Sequence, residues 1–203
     1  VDPAFRPIAR HDTAQVAELR QRLSLPRRFI LFVGRLNARK NVSGLVRALK
    51  LRSGPQIPCV IVGERDWMAD DPRRLAEELG LSDSVHFLGA LSFEDLVLIY
   101  AMADVFCFPS FEEGFGLPAL ESMASAVPVV ASNVAALQEV CGEAAEYCDP
   151  GDAASIARAL DVVIGDMGRA ERMRHAGIAR AQQFTWRAGA MHLLTMLEAS
   201  TTA

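Results

Sequence analysis

Two short stretches of this sequence combine residue types able to bind a phosphorylated, hydroxyl-rich ligand. The first, Gly34-Arg35-Leu36-Asn37-Ala38-Arg39-Lys40-Asn41, is a basic loop that opens a helix-like run. Free N–H groups at a helix start, the positive end of its dipole, and Arg35, Arg39 and Lys40 together suit a phosphate or diphosphate. The loop is not a Walker loop, because no Gly-Lys-Ser/Thr occurs, and after Gly34 the glycines of the dinucleotide fingerprint are missing. A solvated basic turn is the competing reading. Of the 21 Lys and Arg residues only Lys40 and Lys50 are lysines. One of the two falls in this loop, where a compact point charge serves a phosphate well.

The second stretch, Ser110-Phe111-Glu112-Glu113-Gly114-Phe115-Gly116-Leu117-Pro118, supplies carboxylates and glycines. Gly114 and Gly116 let backbone N–H groups around Phe115 and Leu117 approach a ligand closely. Pro118 fits a first helical turn. Glu121 follows on that helix, off the apolar face made by Leu120, Met123 and Ala124. Helical side chains lean toward the N-terminus, so its carboxylate can reach back toward the loop. Glu113 and Glu121, with seven residues between them, could each accept hydrogen bonds from a vicinal diol, one on a sugar and one on a ribose. The alternative is that both merely stabilise a helix N-terminus.

The elements that must position these loops are legible as alternation. Six short apolar runs read as strands, at residues 29–33, 59–62, 85–88, 105–108, 127–131 and 145–148. Most are continuous rather than alternating, as in parallel strands buried on both faces. Helical spacing occupies residues 42–52, 72–79, 93–101, 117–125 and 135–140, with Ser92 and Asp95 as a cap for the third. After the last strand the pattern is wholly helical, at 152–164, 171–184 and 187–197, with Asp152 as a cap. Ahead of the first strand one helix-like piece lies near 13–23. The expected fold is α/β: a Rossmann-like, doubly wound, parallel six-stranded sheet with right-handed crossovers. Such sheets bind ligands beyond the carboxyl ends of their strands, where strand order reverses. With order 3-2-1-4-5-6, that crevice lies between the loops after the first and fourth strands, which are the two stretches above.

Composition narrows the setting. The 203 residues suffice for one substantial domain, and at 51% hydrophobic and 23% charged residues the chain reads as globular. No apolar run reaches membrane-spanning length, and residues 1–10 lack a signal-peptide pattern, so a cytoplasmic location is expected. A net charge of −4 gives no reason to expect a nucleic acid partner. Cys59, Cys107, Cys141 and Cys148 form no metal or disulfide pattern and are read as structural. His11, His86, His175 and His192 are scattered, and Trp67 and Trp186 are read as packing residues. No metal or other cofactor is expected.

Taken together, Gly34-Arg35-Leu36, Arg39-Lys40-Asn41, Pro109-Ser110, Glu113-Gly114-Phe115-Gly116-Leu117-Pro118 and Glu121 resemble the retaining GT-B glycosyltransferases of family four. Val85-His86-Phe87-Leu88-Gly89, Pro128-Val129-Val130-Ala131-Ser132 and Glu139-Val140 resemble that family in the same order, so the likeness runs through nearly the whole chain. The family's fold is two Rossmann-like domains facing each other across a cleft, and the resemblance is to the C-terminal, donor-binding one. It implies a lead-in segment at residues 1–26, a nucleotide-sugar-binding domain at 27–184, and a C-terminal helix at 185–203 that crosses to an N-terminal domain absent here.

The resemblance also implies roles. Arg35 and Lys40 would neutralise the donor diphosphate and the charge growing on the leaving nucleotide. Glu113 would hold hydroxyls of the donor sugar. Glu121 would hold the ribose, and the turn carrying Gly89 and Leu91 would lie against the base. Gly34, Asn41, Gly114, Phe115, Gly116 and Leu117 complete the expected donor site. The implied partners are a nucleotide diphosphate sugar and, on the absent domain, an acceptor glycan, lipid-linked glycan or small molecule. Peripheral attachment of a longer protein at the inner membrane face stays open. This chain departs from many relatives at Ala135-Ala136, where they carry Gly-Gly, and at Ala38, where a proline often stands. The Arg39-Lys40-Asn41 style is similar to bacterial mannosyltransferases that use GDP-mannose, with a UDP-sugar as the next expectation. A non-catalytic nucleotide-binding module on the same scaffold, or another GT-B enzyme such as an epimerase or phosphorylase, are the alternatives. The absent Asp-x-Asp motif, which Asp70-Asp71-Pro72 does not supply, argues against the other large glycosyltransferase class.

Overall fold

The computed structural model describes residues 1–8, 14–66 and 71–201. His11, Trp67 and Asp70 lie outside the described residues, as does the side chain of His192. Six parallel strands form one sheet: β1 (Ile30–Val33), β2 (Cys59–Val62), β3 (Val85–Gly89), β4 (Val105–Phe108), β5 (Val129–Ser132) and β6 (Ala145–Cys148). Their order is β3-β2-β1-β4-β5-β6, the common doubly wound order supposed in the sequence reading. The switch point lies between β1 and β4, which pair through Ile30 with Val105 and Leu31 with Phe106. Strands β2, β4 and β5 are buried at every position, which is why they read as unbroken apolar runs.

The helices are α1 (Ala14–Arg22), α2 (Val42–Leu51), α3 (Pro72–Glu78), α4 (Phe93–Met102), α5 (Leu117–Ala124), α6 (Ala135–Cys141), α7 (Ala153–Gly165), α8 (Met167–Ala181) and α9 (Trp186–Thr201). Helix α2 packs against α3 and α7, while α5 packs against α4, α6 and α8, and α1 against α4. Right-handed crossovers require this division: the chain moves one way from β1 to β3 and the other way from β4 to β6. Side chains start several helices as expected. Ser92 accepts from Asp95 N–H at 3.2 Å, and Asp152 accepts from Ala154 N–H at 2.8 Å. All four cysteines are buried and free.

Most boundaries shift by a residue or so from the sequence reading, and three differences have a definite physical cause. Strand β5 starts at Val129 because Pro128 has no N–H for the ladder, although its carbonyl accepts from Phe106 N–H at 2.9 Å. Helix α8 opens at Met167, since Asp166 caps it by accepting from Arg169 N–H at 2.9 Å. The basic loop does not open α2 directly: a 3-10 turn at Ala38–Lys40 and a left-handed Asn41, at φ 54°, intervene. Trp186 is the further correction. It is 78% exposed, not packed, because it begins α9, whose described side chains are all exposed. No helix among the described residues is long and apolar enough to cross a membrane.

Candidate functional site

The carboxyl ends of β1, β2 and β3 each finish in glycine, and two backbones close on one another there. Gly34 N–H donates to the Val62 carbonyl at 3.0 Å, and Gly63 N–H to the Gly89 carbonyl at 2.8 Å. Gly63 sits at φ +138°, and a Cβ on it would lie 2.0 Å from the Gly34 carbonyl oxygen. No other residue fits that position without moving the β1 loop.

From Gly34 the basic loop turns toward the β4 loop and is clamped to it. Phe111 N–H donates to the Arg39 carbonyl at 2.7 Å. The Asn41 amide donates to the carbonyls of Pro109 at 3.0 Å and Pro150 at 2.8 Å, while its oxygen accepts from Gly44 N–H at 3.2 Å. Asn41 is buried and its side chain is committed to protein backbone, so in this arrangement it braces the two loops. Its capping of Gly44 also occupies one of the α2 amides that the sequence reading assigned to a ligand. Helix α5 differs. Gly116, at φ 103°, precedes it with no side-chain cap, and a Cβ there would strike Leu137 at 2.5 Å. Pro118 has no N–H and Ala119 N–H already donates to the Gly116 carbonyl at 3.0 Å, so Leu117 carries the amide of the α5 start that no side-chain cap satisfies.

The clamp brings a cation and a carboxylate together. Lys40 Nζ donates to Glu113 Oε1 at 2.6 Å, with the side chains 16% and 8% exposed. The ammonium also lies 4.7 Å from the centre of the Phe108 ring, a desolvated platform under the charge. Arg35 points elsewhere, to Asp66 Oδ1 at 3.3 Å, on a largely exposed contact. Glu121 is not joined to Glu113. Its Oε2 accepts from the Tyr100 hydroxyl at 3.0 Å. Burial pushes the Glu121 carboxyl above its ordinary range, and the Tyr100 hydrogen bond pulls the other way without cancelling it.

Around these groups Gly114 faces open space, while Phe115 and Leu117 are exposed, Phe115 meeting Phe184 edge-on at 6.0 Å. Gly89 lines a cleft of about 390 Å³ with Gly63, Glu64, Arg65, Arg73 and Phe87. Leu91 packs against the core instead. Two residues stand in the site to which the sequence reading gave no role. Tyr100 is one, and its signal was a lone tyrosine within an apolar helix. The other is Ser110, whose hydroxyl is buried with no partner among the described residues. No group of three or more potential metal ligands occurs among the described residues.

The arrangement is a crevice at the switch point with a shielded cation, two separately held carboxylates and a helix start lacking a side-chain cap. Known proteins share its framework. The chain is 38% identical to O-antigen chain mannosyltransferase B of Escherichia coli over 161 residues, 78% of this chain and 42% of that protein. It is similar in structure to sucrose-phosphate synthase from Thermosynechococcus elongatus, with 32% identity and a TM-score of 0.80 over 98% of this chain and 50% of that one. It is also similar to the C-terminal domain of a glycosyl transferase group 1 family protein from Francisella tularensis, with 25% identity and a TM-score of 0.77, covering 90% of this chain and 97% of that one. The chain thus spans about 42% of the length of the first of these relatives. The family model for glycosyl transferases group 1 matches residues 16–180, and the chain belongs to that family, with the fold of a C-terminal GT-B domain.

Proposed function

We propose that this chain is the donor-binding domain of a retaining hexosyltransferase, taking a nucleoside diphosphate sugar in the crevice between the β1 and β4 loops. The observation that carries the reading is the Lys40–Glu113 pair, 2.6 Å long and still partly exposed where the two loops meet. A cation and a carboxylate so placed match the two unlike parts of one ligand, its diphosphate and its sugar hydroxyls. Lys40 neutralises the diphosphate and the charge that grows as the nucleotide departs. Arg35, on an exposed and easily exchanged contact with Asp66, swings in to join it. The Leu117 amide at the uncapped start of α5 adds a backbone donor. Glu113, released from Lys40, accepts from donor-sugar hydroxyls, and Glu121 accepts from the ribose. The reaction retains anomeric configuration through front-face attack on an oxocarbenium-like state, and no side chain is assigned as nucleophile. Charge compensation by these residues leaves no step that calls for a metal ion.

GDP-mannose is the favoured donor, supported by the Arg39-Lys40-Asn41 style and by the mannosyltransferase relative; a UDP-sugar is the next candidate. The acceptor, a glycan, lipid-linked glycan or small molecule, is held by a facing N-terminal domain, for which the greater length of that relative leaves room. Residues 1–26 join the two domains, 27–184 form the donor domain, and 185–203 cross back. The exposed Trp186, Met191, Leu194 and Met196 of α9 support a surface that meets another part of a longer protein. Such an enzyme works in the cytoplasm, where nucleotide sugars are at hand.

Calorimetric titration of the chain with GDP, GDP-mannose, UDP and UDP-glucose, with and without magnesium, tests the reading. Selective, magnesium-independent binding that K40A weakens by about 1.5–3 kcal/mol is the expected result. Binding of every ligand unchanged in K40A would refute it.

A further inference from the structure

Tyr100 lies near the end of α4 with no exposed surface. Its ring is held on two sides by aromatic contacts. Phe5 of the opening segment meets it edge-on at 5.5 Å, and Phe106 of β4 lies tilted at 5.5 Å. Phe5 is itself held by Phe93, edge-on at 5.7 Å. Packing alone would be served as well by phenylalanine. The hydroxyl is the part that needs explaining, because a buried O–H without a partner is costly. Its partner is Glu121 Oε2 at 3.0 Å. Burial, and then the Glu121 charge, push the Tyr100 phenol well above its ordinary range, so it remains a donor at every physiological pH.

The two sides of this bond are unequal in freedom. Tyr100 is fixed by its ring contacts, whereas Glu121 on a half-buried helix turn has three rotatable bonds and, among the described residues, the Tyr100 hydroxyl as its one direct side-chain contact. The hydrogen bond therefore determines where the Glu121 carboxylate sits, not the reverse. Oε1 has no protein partner among the described residues.

We propose that Tyr100 is a positioning residue for donor recognition: it holds Oε2 of Glu121 so that Oε1 is presented to the ribose hydroxyls of the nucleotide. The proposal rests on the reading of Glu121 as the ribose ligand. Tyr100 never touches the nucleotide and acts only through the carboxylate. Its anchorage on Phe5 also makes the opening segment part of the support for the ribose subsite.

The test uses the 203-residue chain with GDP and UDP, each as the ribo, 2′-deoxy and 3′-deoxy form. The wild type is expected to prefer a ribonucleotide about tenfold, the size of one hydrogen bond to a charged group. In Y100F, ribonucleotide binding falls roughly fivefold while deoxy binding is unchanged, so the preference nearly disappears. In an E121Q background the same substitution has no further effect, since the two residues act as one unit. A second readout needs no variant: the Tyr100 ring carbon bearing the hydroxyl shifts its NMR resonance on adding the ribo form and not the deoxy forms. Equal losses for ribo and deoxy forms in Y100F, or a Tyr100 resonance indifferent to the ribose, would overturn the proposal while leaving the ribose role of Glu121 intact. A wild type without ribo preference, or an E121Q variant that keeps it, would remove the ribose role itself and the proposal with it.

Discussion

Two shielded ion pairs in this molecule look alike and are built for opposite ends. Arg52 and Asp161 meet at 2.8 Å, Lys40 and Glu113 at 2.6 Å. Around the first, hydrogen-bonding capacity is heavily used. Asp161 also accepts from the backbone N–H groups of Ser53 at 2.8 Å and Gly54 at 3.0 Å, and Arg52 donates to the Pro55 carbonyl at 2.6 Å. The guanidinium has no exposed side-chain surface. That pair ties the end of α2 to α7 and leaves no room for a ligand. Around the second, the lysine has one carboxylate and an aromatic face, and Glu113 has no further hydrogen bond among the described residues. A pair with spare donors and acceptors, at a switch point, can exchange its partner for a substrate. Length, burial and a single unused donor do not separate a brace from a site, since Arg52 Nη1 is also buried without a partner among the described residues; unused valence at the switch point, where a ligand can reach it, does.

Breaking each pair should therefore fail in different currencies. D161A leaves a buried guanidinium uncompensated and is expected to destabilise the fold by about 3–5 kcal/mol, read from urea unfolding. A loss below 1 kcal/mol would remove Arg52–Asp161 from the role of brace. K40A is the milder case, with the binding loss already described and a smaller loss of stability than D161A, because the Glu113 carboxylate it leaves unpaired lies at the loop junction and can turn toward water. If K40A unfolds as readily as D161A, the contrast between the pairs disappears. E113Q keeps the shape and removes the charge. We expect the preference for a nucleotide sugar over the bare nucleoside diphosphate to drop about tenfold, with diphosphate binding maintained. Equal loss for both ligands would move Glu113 from the sugar to a purely structural role.

The smallest effects concern pH. Burial alone pushes the Asp161 carboxyl up, but the Ser53 and Gly54 amides and the Arg52 guanidinium outweigh it and hold it below its ordinary 3.8. Its contribution to stability is complete above pH 3.8 and drains away as the pH falls below that toward the lowered folded value. Glu121 runs the other way. Burial raises its carboxyl above 4.5, the Tyr100 bond offsetting only part of this, so the fold favours the protonated form. That stabilisation is full below pH 4.5 and is lost as pH rises through the raised folded value. E121Q should therefore raise the neutral-pH unfolding midpoint slightly while it weakens nucleotide binding. A lower midpoint in E121Q would contradict a carboxylate held at some cost for function.

The brace and the site were not equally legible in the sequence. The doubly wound parallel sheet followed from unbroken apolar runs alternating with helical spacing, and the position of the crevice followed once the common 3-2-1-4-5-6 order was supposed. Lys40 and Glu113 could be singled out because their loops are locally unusual in charge and glycine content. Arg52 and Asp161 lie 109 positions apart in ordinary helical stretches, with no local mark of their pairing. Tyr100 escaped for the same reason, since its meaning depends on a carboxylate one helix away. The misplaced start of α8 and the 3-10 turn at Ala38–Lys40 are cap chemistry, decided by Asp166 and by Asn37 accepting from Lys40 N–H at 3.2 Å. Trp186 was read as a packing residue, yet the described side chains of its helix are all exposed and leave it uncovered.

The most direct test of the central claim is chemical-shift mapping of the chain during titration with GDP and UDP. The account predicts that the amides from Gly34 to Asn41 and from Gly114 to Leu117, together with the Lys40 ammonium, shift and saturate at one concentration. Ser53, Gly54 and the Asp161 turn of α7 should stay still. Shifts that spare Lys40 and Gly114, or that gather at the opposite end of the sheet around Arg28 and Asp104, would contradict a nucleotide site in the crevice between β1 and β4.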